Sequence, residues 1–147
     1  MHTKTRTAKP AAYGRRRGSA ILELALLGPW VVLLFIGIFD WGFYAVALIS
    51  LQSAARSAAL YTSGSSATAS DSATACTLVL AEMSSLPNIG ATCATNPLVT
   101  ATAVSGPDSA KASRISVTYT SVSLIPLPGM LEKQFTITRT STMRLRN

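Results

Sequence analysis

A long apolar run dominates the pattern of the chain, extending from Ala20 to Leu51 with acidic interruptions at Glu23 and Asp40. About 18 consecutive apolar residues are enough to indicate a membrane-spanning helix. The pattern therefore predicts one transmembrane helix near the N-terminus. The alternative is a helix buried in the core of a soluble protein.

The length of this run indicates where the helix crosses the bilayer. About 20 residues, each rising 1.5 Å, span a hydrocarbon core of about 30 Å, so a span that begins at Glu23 ends at Phe43. Trp41, Phe43 and Tyr44 then lie at the far interface, where aromatic rings are enriched. Asp40 lies close to the headgroups, where a carboxylate costs less than at the bilayer centre.

Helical spacing continues beyond the predicted bilayer. Mostly small side chains recur every three or four residues, at Ser50, Ser53, Ala54, Ser57, Ala58 and Tyr61. Such a stripe lets another helix or a sheet approach closely, although the helix propensity of alanine explains it equally well. We predict one helix over Ser19 to Tyr61, with a kink at Pro29.

The remainder of the chain changes from helical to strand periodicity. After a polar connector, Asp71 to Leu86 predicts a helix that Asp71 caps and Pro87 ends. Apolar and polar residues then alternate, which predicts strands at Leu98 to Val104, around Ile115 to Tyr119, and from Phe135 to Leu145. Gly106-Pro107-Asp108 and Pro126-Leu127-Pro128-Gly129 supply turns between them.

These elements predict an α+β fold. It has a long N-terminal transmembrane helix, a second short helix and a small antiparallel three-stranded sheet that packs one face on the helices. The chain contains no internal repeats.

The charge distribution argues against nucleic-acid binding and gives the orientation in the membrane. The net charge is +7, but residues 1–18 contain no acid and hold Lys4, Arg6, Lys9, Arg15, Arg16 and Arg17. The rest of the chain is almost neutral. Because Lys and Arg accumulate on the cytoplasmic side of a membrane helix, the N-terminus is expected inside the cell and the C-terminal part outside the cytoplasm.

The two cysteines, Cys76 and Cys93, both lie in the part that is predicted to be exported. An oxidising compartment favours a disulfide between them. Two reduced, buried thiols are the alternative.

Residues for catalysis are scarce. The only histidine is His2, which leaves no imidazole for a Ser-His-Asp triad or a zinc site in the exported part. That part has four acids, Asp71, Glu82, Asp108 and Glu132, in no catalytic spacing. We therefore predict no enzymatic activity, no metal and no cofactor.

One motif joins the basic leader to the apolar helix: Arg15-Arg16-Arg17-Gly18-Ser19, followed by Ala20-Ile21-Leu22-Glu23-Leu24. It resembles the type III signal of type IV pilins and pseudopilins. In that superfamily a prepilin peptidase cuts after the glycine, here between Gly18 and Ser19, and leaves the apolar helix on the mature protein. Glu23 is then the fifth mature residue, which is where the superfamily places its glutamate.

Further motifs narrow the resemblance to the TadE-like family, whose members are minor pseudopilins of the tight-adherence pilus machinery. Besides the motif at Gly18, the chain has Pro29 in its apolar run. Two further motifs follow this proline: Gly37-Ile38-Phe39-Asp40-Trp41-Gly42 and Ala54-Ala55-Arg56-Ser57-Ala58-Ala59. The resemblance is specific over residues 15–61. Leu24 stands where the major pilin of that system has tyrosine, which argues against the main filament subunit.

The resemblance implies three segments: a cleaved leader at 1–18, a transmembrane and extended helix at 19–61, and a periplasmic or extracellular α+β domain at 62–147. It implies that Glu23 acts in assembly by meeting the N-terminal amine of a neighbouring subunit. Asp40 and Arg56 are candidates for helix packing or polar contacts. The expected location is the bacterial inner membrane, with possible incorporation into an extracellular pilus. The implied partners are a prepilin peptidase, other pilins and inner-membrane assembly proteins of the pilus, and membrane lipid.

Two other interpretations remain open. One is a secreted or membrane-anchored Ser/Thr-rich binding protein with an ordinary signal peptide, for which Ala45-Val46-Ala47 resembles a cleavage site. Its apolar region is longer than usual and contains an acid. The other is an uncleaved single-pass membrane protein.

Overall fold

The computed structural model describes residues 16–106, 108–122 and 134–146. Most of the basic leader and the predicted turn at 126–129 lie outside the described residues. The elements are α1 (Arg16–Thr62), α2 (Ser72–Glu82), β1 (Leu98–Ser105), β2 (Lys111–Thr120) and β3 (Thr136–Arg144). The predicted α+β fold, with a long apolar helix, a short helix and three antiparallel strands, is confirmed.

The chain divides into two compact units, Met1–Phe39 and Asp40–Asn147. The described part of the first unit is the N-terminal half of α1. The second unit contains the rest of α1, α2 and the sheet, whose buried side chains form one hydrophobic core. The predicted segment boundaries after residues 18 and 61 concern processing and export, and they stay predictions.

The C-terminal half of α1 enters this core through small side chains. Its fully buried apolar residues are Ala47, Leu51, Ala54, Ala55, Ala58 and Ala59. Ala54 and Ala58 belong to the predicted small-residue stripe, whereas Ser53 and Tyr61 are exposed. The buried face is therefore rotated slightly from the predicted one, and alanine rather than serine lets the backbone of α1 approach the core.

A buried hydrogen-bond cluster fixes the end of α1. The Ser113 hydroxyl of β2 lies 2.8 Å from Thr62 Oγ1 and donates to the carbonyl of Ala69 at 2.9 Å. All three residues are at most 1% exposed. Because buried polar groups are costly without partners, this cluster specifies how the connector after α1 lies on β2.

Helix α2 begins as predicted and ends earlier than predicted. The carboxylate of Asp71 accepts hydrogen bonds from the backbone N–H groups of Ala73 and Thr74, which caps the helix. The prediction that the helix reaches Leu86 was wrong, because it ends at Glu82. Serines at 84 and 85 follow, and serine competes for backbone hydrogen bonds, as the bond from Ser84 Oγ to the Ala81 carbonyl illustrates.

The sheet is antiparallel in the order β1-β2-β3. Its odd-numbered residues face the core, including Ile115, Val117 and Tyr119, which are fully buried. The Tyr119 hydroxyl donates to the Pro87 carbonyl at 2.7 Å, and burial raises the pKa of this phenol. The even-numbered residues of the sheet form a Ser/Thr-rich outer face, as the period-two pattern predicted.

Candidate functional site

The N-terminal half of α1 exposes its large apolar side chains. Leu22, Leu26, Phe35 and Ile38 are between 72% and 79% exposed. Within the described residues, α1 is the one helix that is long and apolar enough to cross a membrane, over Ser19–Thr62. Water does not favour so much exposed apolar surface, so this segment requires lipid or protein around it.

Glu23 lies near the start of this apolar surface. Its side chain is exposed, and its Oε1 accepts a hydrogen bond from the Ser19 hydroxyl at 3.0 Å, one helical turn earlier. Sequence reasoning paired Glu23 with an amine and missed the Ser19 hydroxyl, although the spacing of four residues signals it.

Gly18 lies in the first turn of α1, two residues after its start at Arg16. Glycine has a low helix propensity. An extended backbone at this position therefore costs less free energy with glycine than it would with another residue type that favours the helix. Gly18, Ser19 and Glu23 thus lie within about two turns of one helix end. Pro29 lies inside α1, which continues through it, and the predicted kink stays a prediction.

Asp40 is buried rather than exposed at an interface. Its side chain is 4% exposed, and within the described parts of the chain its Oδ2 has no hydrogen-bond partner. Of the aromatic residues expected at the membrane boundary, Phe43 and Tyr44 contact Phe135, with ring centroids 6.1 and 5.1 Å apart. Trp41 alone is highly exposed, at 71%.

Arg56 is exposed on α1, and the described residues offer it no ion pair. It is 16 positions from Asp40, which corresponds to about 24 Å along a helix, so the two candidate residues are not brought together. An acid that does contact this part of α1 is Glu82, whose carboxylate accepts a hydrogen bond from the Ser53 hydroxyl at 3.4 Å. Sequence reasoning gave no signal of that contact.

Cys76 and Cys93 form a disulfide, with their Cα atoms 5.8 Å apart. The bond joins α2 to the segment that leads into β1. The predicted pairing is thus present, and neither cysteine is a free thiol.

Other chemistry is sparse in the described structure. Residues 16–106, 108–122 and 134–146 contain no cluster of three His, Cys, Asp or Glu side chains. An open depression of about 360 Å³ lies at the ends of β1 and β2, lined by Ser66, Ala69, Ala103, Val104, Ser105, Lys111 and Leu145. One lysine without an acid or histidine gives this depression no acid–base pair.

Comparison with protein-family models gives a match. The model of the family described as TadE-like protein matches residues 18–60. No curated protein matches the chain, and no solved structure matches it. The match covers most of α1, and residues 61–147 lie outside it.

The matched residues begin at the glycine of the predicted cleavage site, include Glu23 and Asp40, and end two residues before α1 does. The resemblance that the sequence motifs predicted is therefore confirmed over these residues.

Proposed function

We propose that the chain is a minor pilin or pseudopilin of a tight-adherence pilus system. A prepilin peptidase removes residues 1–18, the N-terminal half of α1 anchors the product in the inner membrane, and the unit from Asp40 onward folds in the periplasm. The protein acts by association rather than catalysis. Its partners are other pilins and the inner-membrane assembly proteins of the same system.

The observation that carries this proposal is the position of Glu23 on an exposed apolar helix within the TadE-like match. A carboxylate at the centre of a bilayer costs about 2.5 to 3.5 kcal/mol on insertion scales, and one at the boundary of the span, where Glu23 is predicted, costs less. The Ser19 hydroxyl reduces that cost without neutralising the charge. Cleavage after Gly18 creates an amine on Ser19, and the amine of a neighbouring copy supplies the neutralising partner in a medium of low dielectric.

The glycines of α1 support a helix partner. A Cβ atom added at Gly28, Gly37 or Gly42 would have nothing within 4 Å. Glycine destabilises a helix interior by about 0.5–1 kcal/mol relative to alanine, and no contact among the described residues requires it at these positions. Glycines on an exposed apolar helix allow a second helix to approach closely, which suits assembly through α1.

The interpretation as a secreted protein fits the structure less well. Ala47, which would end its signal peptide, is fully buried in the core, and Tyr44 packs against Phe135. Cleavage after Ala47 would remove these contacts from the folded unit.

Intact mass spectrometry of the membrane-extracted protein tests the proposal. We expect loss of residues 1–18 in cells that contain a prepilin peptidase and no loss in cells that lack it. Loss of residues 1–47 would establish the secreted interpretation, and an uncleaved product in the presence of the peptidase would establish a plain single-pass membrane protein.

The variant Gly18→Leu sharpens this test. Bulk at the scissile bond clashes with a peptidase that grips extended backbone, so we expect the full-length precursor to accumulate in the membrane. Gly28→Leu is the matched control, because it makes the same change in the same helix and is expected to leave cleavage intact. Normal processing of Gly18→Leu would contradict the assigned signal.

A further inference from the structure

The two edges of the sheet differ in how their backbone groups are satisfied. On β1, the outward N–H of Val99 donates to the Cys93 carbonyl at 3.4 Å, and the outward N–H of Ala101 donates to Ser72 Oγ at 3.2 Å. Both partners belong to the segment around α2. The β1 edge is therefore partly closed by the protein itself, as natural sheets close edges that could pair with other chains.

The outward groups of β3 follow from its pairing with β2. Ser121 N–H donates to the Phe135 carbonyl, and Leu145 N–H donates to the Lys111 carbonyl, both at 3.0 Å. The residue register across the two strands is uninterrupted, so odd-numbered residues of β3 direct their backbone groups to β2. Its even-numbered residues direct theirs outward, namely Thr136, Thr138, Thr140, Thr142 and Arg144.

This edge is open in the described structure. The five even-numbered residues are exposed, and no described group accepts from or donates to their outward backbone atoms. The strand has no proline and no bulge, and threonine favours extended structure. A nine-residue edge without such protection is a template for another strand.

We propose that β3 pairs antiparallel with β3 of a second copy of this chain, about a two-fold axis at Thr140. Outward-directed residues must face each other across the axis, so even-numbered residues pair with even-numbered ones. An axis at Thr140 overlaps all of Thr136–Arg144 with itself. It also sets Ile137 opposite Met143 of the second copy on the core face.

Charge selects the same register. An axis at Arg139 also pairs even-numbered residues, but it sets Arg139 directly opposite its own copy, and like charges directly opposite are destabilising. The axis at Thr140 sets Arg139 opposite Ser141. Axes at Thr138 or Ser141 shorten the overlap within β3.

The side chains at the new junction repeat a pattern already present in the sheet. Across β2 and β3, Thr118 and Thr138 share a hydrogen bond between their hydroxyls at 2.9 Å, and Thr120 and Thr136 share one at 3.2 Å. The proposed register sets Thr138 opposite Thr142 and Thr140 opposite itself, and such cross-strand threonine pairs stabilise sheets. The result is a six-stranded sheet that ends at the two protected β1 edges, so assembly closes at a dimer. This inference does not depend on the proposed function or on cleavage of the leader.

Cysteine cross-linking of the full chain in detergent tests the register. The native disulfide occupies both natural cysteines, so an added cysteine is the single free thiol. With Thr140→Cys we expect a disulfide-linked dimer under mild oxidation, because Cα atoms of such a pair are about 5.5 Å apart. Thr138→Cys is the matched control on the same edge. It lies four residues along the strand from its own copy, about 13 Å away, and should not link.

A mixture of two variants gives a positive test of the same geometry. Thr138→Cys and Thr142→Cys, co-expressed, should link to each other although neither links alone. Adding Thr140→Pro to both chains should abolish that link, because it removes an outward N–H without touching the β2–β3 ladder. Ala103→Pro, an outward position on β1, should leave the link intact. Three results would each overturn the proposal. The first is that Thr140→Cys gives no linked dimer, and the second is that Thr138→Cys alone links as well as Thr140→Cys. The third is that the link between Thr138→Cys and Thr142→Cys persists when both chains carry Thr140→Pro.

Discussion

The two halves of α1 form one continuous helix but differ in which side chains they bury. Before Asp40, large side chains such as Leu26 and Phe35 are more than 70% exposed. After Asp40, alanines such as Ala54 and Ala58 are completely buried. The half with more apolar surface is the half that buries less of it within the chain.

This difference shows that hydrophobicity alone does not identify a core-facing segment. Side-chain size contributes to the difference: most of the buried residues of the second half are small and pack into the core, whereas the bulky residues of the first half find no cavity in the described chain and need lipid or a partner. The change occurs at the boundary between the two compact units, at Asp40.

Removing the charge from the exposed half should have the largest effect on assembly. We expect Glu23→Val to insert and be cleaved like the wild type, yet to co-purify with pilus partners at least about tenfold less, a loss of about 1.4 kcal/mol or more. The physical reason is the lost pairing of the carboxylate with a neighbouring amine. Quantitative immunoblotting after affinity purification measures it.

The matched control is Glu82→Val, which removes an exposed acid from α2 and should leave co-purification unchanged. If Glu23→Val entered the assembly at wild-type levels, Glu23 would be only a boundary acid.

The same truncation in the two halves of α1 tests their contrast directly. Leu51→Ala, at a fully buried position, should lower the free energy of unfolding by about 3–4 kcal/mol. Leu26→Ala, at a position that is 79% exposed, should change it by less than about 0.5 kcal/mol. Urea unfolding in detergent, followed by circular dichroism of the sheet, compares them. Equal losses would contradict the division of the helix.

Breaking the disulfide should destabilise only the compact unit that begins at Asp40. With Cys76→Ser and Cys93→Ser together we expect a loss of about 3 kcal/mol, because the bond closes a loop of about 16 residues in the unfolded chain. Reduction of the wild type should give the same loss in the same urea titration. Two thiols that react with a labelling reagent under native, non-reducing conditions would instead show that the bond is absent in the cell.

The smallest effect should come from acid pH at the cap of α2. The hydrogen bond with Thr74, together with the N–H of Ala73 and the Tyr61 hydroxyl, lowers the pKa of Asp71 below its ordinary value. A lowered pKa in the folded state means that the stabilisation is present above the ordinary value of about 3.9 and is lost as pH falls through the folded-state pKa.

Asp71→Asn keeps an N-capping side chain and removes this titration. Thermal unfolding between pH 5 and pH 2 should therefore show a steeper loss of stability for the wild type than for the variant. Parallel curves would show that Asp71 does not contribute to the acid sensitivity.

The sequence predicted the elements that have strong periodicity. The apolar run gave α1, alternation gave β2 and β3, and Asp71 marked the start of α2. It did not predict that the side chain of Asp40 is buried, or that Phe43 and Tyr44 contact Phe135. Such contacts join residues that are far apart in the chain.

Asn96 gives a second example. It closes the end of β2 by donating to the Thr120 carbonyl at 2.8 Å and accepting from the Thr120 N–H at 2.9 Å. An isolated asparagine before a proline reads as an ordinary turn residue. The backbone groups with which Asn96 forms hydrogen bonds depend on the tertiary structure.

The hydrogen bond from the Arg146 N–H to the Ser63 carbonyl, at 2.9 Å, has a consequence for biogenesis. It joins a residue just after β3 to the residue that follows α1. Under the proposed function α1 is synthesised and inserted before β3 is exported, and such distant contacts form slowly. The compact unit that begins at Asp40 therefore cannot close until β3 has crossed the membrane, and until then a subunit anchored by α1 presents an unfinished sheet.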